Sequence, residues 1–108
     1  MTNPTKKEKR RIEKAGDVVY DIAVTAMRRF VEEYPYFDNG RLSLEIGYNN
    51  RKRIGYKIST SDGKVIQGSF HTMRLLRNKD NDFQWAASVI YGRMQTGFLS
   101  PSAEDVPQ

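Results

Sequence analysis

Residues 6–34 read as one helix with too little polar surface to lie exposed on a domain. The 3.6-residue period starts in KKEKRRIEK and runs to Tyr34, where Pro35 forbids continuation. Ile12, Ala15, Val19, Ile22, Ala23, Ala26 and Phe30 share one side, and Tyr20, Val24, Met27 and Val31 extend it around the cylinder. The polar wedge (Lys14, Asp17, Asp21, Thr25, Arg28, Glu32) spans only about 80°, whereas a surface helix buries a stripe little wider than ~100°. Such a helix needs cover on most of its circumference. It would also reach ~40 Å, against a radius of gyration of ~13 Å for a domain of this size. Either its first ten residues fray beyond Gly16 as a basic, flexible arm, or the helix projects and meets a second copy of the chain. A central core helix and a helix-mediated homodimer are the two expectations.

After the turn formers of YPYFDNG the period changes to two. Leu42, Leu44, Ile46 and Tyr48 alternate with polar or small residues, as do Ile54, Tyr56 and Ile58, and a third strand covers residues 65–73. Register follows from matching faces. A two-residue turn at Asp62-Gly63 would set Ile58 against Gln67. The three-residue loop Ser61-Asp62-Gly63 pairs Ile58 with Ile66, Tyr56 with Gly68 and Ile54 with Phe70, and puts Gly63 at the left-handed third position. The same test on the first hairpin selects the loop Asn50-Arg51-Lys52, pairing Tyr48 with Ile54, Ile46 with Tyr56 and Leu44 with Ile58. Tyr48, Ile54 and Tyr56 are then expected in the core.

Capping residues at 78–82 precede a second helix over about 82–96, ended by Gly97, with Phe83, Ala87, Ile90, Tyr91, Met94 and Phe98 buried. The fold class is therefore α+β: helix, three-stranded antiparallel β-meander, helix, with both helices on one face of the sheet. Residues 1–10 are the flexible arm, 11–98 one domain, and 99–108 a disordered tail. Double-stranded RNA-binding domains share this element order, but they carry a basic start to the second helix, where residues 78–82 are mixed and partly acidic.

Charge is unevenly distributed within the net +5. Residues 1–14 hold six cations against two anions; Arg51, Lys52, Arg53 and Lys57 form a second cluster, and Arg74, Arg77 and Lys79 a third. Residues 17–38 hold five anions against Arg28 and Arg29. This asymmetry favours an acidic partner, nucleic acid or an acidic protein. The chain has no cysteine, which removes disulfides and thiolate chemistry and fits a cytoplasmic setting. No apolar run approaches the ~18 residues of a membrane span, and no signal-peptide pattern follows the basic start.

Catalysis has little to work with. His71 is the only histidine and falls opposite Arg53 on the polar sheet face; Asp62-Gly63 is a turn, and Asp80, Asn81 and Asp82 make a cap. No phosphate-loop or dinucleotide pattern occurs, so neither enzymatic activity nor a cofactor or metal is expected. The polar sheet face is more informative, giving rows Glu45–Lys57–Gln67, Gly47–Gly55–Ser69 and Asn49–Arg53–His71. The middle row makes a shallow trough, suited to an anion if its cationic rims are free, or to nothing if Glu45 simply pairs with Lys57. On the last helix, Trp85 and Val89 flank a small-residue stripe of Ser88, Gly92 and Thr96. Either the first helix covers that stripe or a partner protein does. Tyr36 and Phe37 read as a plug closing the core.

Two functions follow. The first is binding of nucleic-acid backbones through Lys6, Lys7, Arg10 and Arg11 of the arm and Arg51, Lys52, Arg53, Lys57 and His71 of the sheet. The second is a protein-interaction module (inhibitor, immunity or adaptor protein) using the apolar first helix or the Trp85, Val89 and Gly92 surface.

Overall fold

The computed structural model describes residues 5–49, 52–72 and 81–99. Helix α1 (Lys6–Glu33) leads through a 3-10 turn (Pro35–Phe37) into strands β1 (Leu42–Asn49), β2 (Arg53–Thr60) and β3 (Val65–His71), and α2 (Asn81–Leu99) follows. The strands form one antiparallel meander in the order β1-β2-β3. α1 packs over β1 and β2, α2 over β3, and the two helices against each other, all on one face of the sheet. Asn50, Arg51, the cap residues 78–80, the cations Arg74, Arg77 and Lys79, and the tail from 100 onward lie outside the described residues.

Chain reversal after α1 is local chemistry. Pro35 occupies the first position of the 3-10 turn, and Phe37 turns inward beneath Phe30 with ring centroids 4.9 Å apart. Tyr36 does not join it: it is 63% exposed, with the Arg41 guanidinium 4.5 Å over its ring. Only Phe37 therefore closes the core. Asn39 and Gly40 both take positive φ (65° and 78°), turning the backbone into β1.

Both hairpin registers follow the face-matching rule. Leu44 pairs with Ile58, Ile46 with Tyr56 and Tyr48 with Ile54; across the second ladder Ile58 meets Ile66, Tyr56 meets Gly68 and Ile54 meets Phe70. Gly63 takes the left-handed conformation (φ 96°), and Lys52 holds the equivalent third loop position at φ 61°. The Thr60 hydroxyl hydrogen-bonds Asp62 and so holds that carboxyl below the usual carboxylate range. The inward face of β2 (Ile54, Tyr56, Ile58) is buried with Val19, Ile22, Phe30, Ile90, Met94 and Phe98. Tyr48 departs from expectation, at 44% exposed. Its partner Ile54 lies on the central strand and is covered from both sides, whereas Tyr48 is on an edge strand beside the hairpin tip.

α2 also departs from expectation. It passes through Gly97 to Leu99, because that glycine serves packing and not termination: a Cβ there would come within 2.6 Å of Ile66 Cγ2. Close approach of helix to strand, which only a missing side chain allows, is what this position provides. Gly68 serves a related purpose. It leaves room for the Tyr56 hydroxyl, which accepts a hydrogen bond from Arg93 Nη1 at 3.0 Å. Burial pushes the Tyr56 phenol above its ordinary pKa, and the Arg93 charge and hydrogen bond oppose that rise.

Candidate nucleic-acid interface

The cations of α1 are set by its 3.6-residue period. Lys6, Lys7, Arg10, Arg11 and Lys14 recur at three- and four-residue spacings and line one shared surface hollow. All five are exposed, and the first buried residue of the helix is Ala15. Among the described residues, no hydrogen bond or ion pair occupies their charged groups. The helix is continuous from Lys6 through Gly16, so the basic segment extends the helix past the glycine.

Chain topology decides what lies beside it. Leu42, at the start of β1, shares a hollow with Val24, Met27 and Val31, and β1 runs back antiparallel to α1. Its seven further residues advance ~23 Å, about fifteen helical residues, so the hairpin tip comes level with roughly residue 12 of α1. The opposite end is closed by aromatic packing: Phe98 lies 6.0 Å from Phe30, and Lys64 Nζ donates to the Phe98 carbonyl at 3.2 Å. Lys52 and the start of α1, about forty residues apart in sequence, therefore share one end of the molecule.

Among the described residues, Arg53, Lys57 and His71 do not converge there. They point to the outer face of the sheet, away from the helices, and Arg51 lies outside the described residues. The three rows are present in register, and the trough over Gly47, Gly55 and Ser69 is open. Added methyl groups would fit at both glycines: one built on Gly47 meets nothing within 4 Å, and one built on Gly55 comes no closer than 3.5 Å to its nearest neighbour. Arg53 is already engaged, its Nε donating to Ser69 Oγ at 2.8 Å and its Nη2 to the Ser69 carbonyl at 3.1 Å. Glu45 and Lys57 face each other in the ladder without forming an ion pair. One rim of the trough is thus occupied by the protein's own chain.

Trp85 is 58% exposed, so the first helix does not cover it. α1 packs instead on the side of α2 that carries Tyr91, where the Arg29 guanidinium sits 4.1 Å over the ring. Val89 and Gly92 are half-buried and border an open hollow beside Ile66 and Thr96.

The ladder pattern exposes one feature the residue pattern did not suggest. Thr60 N–H donates to Lys64 O and Thr72 N–H to Lys52 O, so even-numbered residues of β2 bond to β3 and odd-numbered ones to β1. Gln67 and Ser69 consequently aim their carbonyls off the outer edge of β3. Both are taken by arginines: Arg93 Nη1 donates to Gln67 O at 3.3 Å and Arg53 Nη2 to Ser69 O. Among the described residues no group of three metal-ligating side chains occurs, and no helix is long and apolar enough to cross a membrane. The chain matches no family model, no curated protein and no solved structure.

Proposed function

We propose that the protein binds nucleic-acid backbones through the projecting start of α1, aided by Lys52 at the hairpin tip. The supporting observation is the stripe of Lys6, Lys7, Arg10, Arg11 and Lys14, five exposed cations on a helix end that extends beyond the sheet. A row of cations at helical spacing neutralises successive phosphates and releases their counterions, which drives binding without reading sequence. Arg53 contributes less than its charge suggests, since its guanidinium is committed to Ser69.

The test is a salt titration of binding to a labelled duplex. If all five cations contact phosphates, log K should fall against log salt with a slope of about −4.5. Reversing Lys7 and Arg11 to glutamate should flatten that slope by about 2. Absence of binding at ~50 mM salt rules the reading out, because phosphate contacts are strongest when counterions are dilute. A second reading, a protein-interaction module, is favoured by the exposure of Trp85 beside Val89 and Gly92. It requires that Trp85→Ala abolish capture of one specific protein without changing the unfolding midpoint.

A further inference from the structure

The two edges of the sheet differ. On β3 two outward carbonyls are capped by arginines. On β1 the outward groups belong to Leu42, Leu44, Ile46 and Tyr48, because Arg41 O accepts from Ser61 N–H and the odd-numbered residues of β1 bond to β2. Among the described residues nothing takes these four N–H and C=O pairs. An eight-residue edge with a free ladder is a template for another strand. Beside it runs the second side of α1, where Tyr20 is 53% exposed and Val24, Met27 and Val31 are half-buried.

We propose that a second copy of this chain pairs β1 against β1 around a two-fold axis, giving a six-stranded sheet with the two α1 helices packed antiparallel across it. Distances make the two contacts compatible. Strands lie ~4.8 Å apart, so the axis falls ~2.4 Å outside β1, and α1, which packs over both β1 and β2, lies ~5 Å from it. The two helices would then be ~10 Å apart, within the usual packing distance of 8–10 Å. One operation satisfies both the open ladder and the uncovered helix side.

Register follows from the same geometry. Leu42 lies beside Val24–Val31, and two strand residues advance ~6.6 Å, about four helical residues. Leu44 is thus level with about residue 23 of α1, so an axis through Leu44 also passes close to Val24. That register sets Leu42 against Ile46 and Ser43 against Glu45 of the second copy. An axis at Glu45 would oppose two carboxylates, which is disfavoured. On the helices, Asp17 and Asp21 precede Val24 as Arg28 follows it, so reversal brings the aspartates of each copy near Arg28 of the other. The surface is self-complementary in charge, hydrogen bonding and apolar area, as a two-fold interface requires.

Light scattering and sedimentation equilibrium over a dilution series test this directly. Wild-type protein should show twice the 12.5 kDa chain mass. Val24→Glu sets two carboxylates against each other on the axis and should halve the mass with an unchanged circular dichroism spectrum. Leu44→Pro removes an N–H that points off the edge, a position where a strand tolerates proline, and should also give a monomer. Trp85→Ala should remain dimeric. A wild-type protein of single-chain mass throughout overturns the proposal, as does a folded Val24→Glu dimer or loss of the dimer in Trp85→Ala. The salt slope per chain should not change in Val24→Glu, which separates this interface from the proposed phosphate contacts.

Discussion

Alanine at Gly92 and alanine at Gly97, five residues apart on α2, should change stability in opposite directions. In a helix interior glycine costs ~0.5–1 kcal/mol relative to alanine through backbone entropy. Nothing lies within 4 Å of a methyl built on Gly92, so Gly92→Ala should recover that amount. For a domain of this size it corresponds to a rise of roughly 2–8 °C in Tm. At Gly97 the added methyl would come 2.6 Å from Ile66 Cγ2, closer than carbon atoms approach. Ile66 is β-branched, half-buried and pinned in the β3 ladder, so it cannot rotate away, and the helix or the strand must shift. Overpacking of this kind costs about 1–3 kcal/mol. The propensity gain is smaller than in mid-helix, because α2 ends two residues later at Leu99. The net expectation is a loss of about 1–2 kcal/mol, hence a spread of about 2 kcal/mol between the variants. Urea unfolding by circular dichroism, at one matched protein concentration, measures both. If Gly97→Ala is as stable as Gly92→Ala, the close approach of α2 to β3 is wrong.

Arg93→Met should destabilise by about 1–2 kcal/mol, since it strips the Tyr56 hydroxyl and the Gln67 carbonyl of a charged donor. The same variant should raise the Tyr56 pKa further, because Arg93 opposes the upward shift caused by burial. The folded pKa lies above the unfolded value of 10.0, so the associated stability is complete below that value and is lost as pH rises through the folded pKa. A Tyr56-resolved NMR titration reads the shift, and a fall in pKa contradicts the assignment. Lys52→Gly should raise the urea midpoint by up to about 1 kcal/mol of stability, because a lysine at φ 61° carries left-handed backbone strain that glycine avoids. A lower midpoint would show that strain at this loop position is not what limits the hairpin.

Strand register was legible from residues because keeping the apolar faces of β1, β2 and β3 together requires odd loops, and three residues is the simplest odd length at both turns. The whole polar face followed, down to the glycine row. What could not be read was which side chains reach across it. Arg53 folding onto Ser69 depends on a side-chain path, and Arg93 depends on where α2 crosses β3. Gly97 was ambiguous for a physical reason: a glycine near a helix end suits a left-handed cap and a tight packing contact equally well. Gly68 opposite Tyr56 was the available hint that a polar group from α2 needs space there. The exposure of Trp85 reflects the side of α2 that α1 chooses, and Ala86 and Ala87, two small residues in succession, mark that choice.

The projecting start of α1 sets its own electrostatics against its backbone. Lys6, Lys7, Lys9 and Arg10 lie in the first turns, where the aligned peptide dipoles already present partial positive charge. Cations there lose a few tenths of a kcal/mol each where anions would gain, and no core packing before Ile12 compensates. These turns are held by local hydrogen bonds alone, and helix without tertiary packing is marginally stable in water. An anion settling on the stripe relieves both conflicts together, so helix content at this end should rise with occupancy. The chain's most charged segment is then also the one whose order depends most on what it meets.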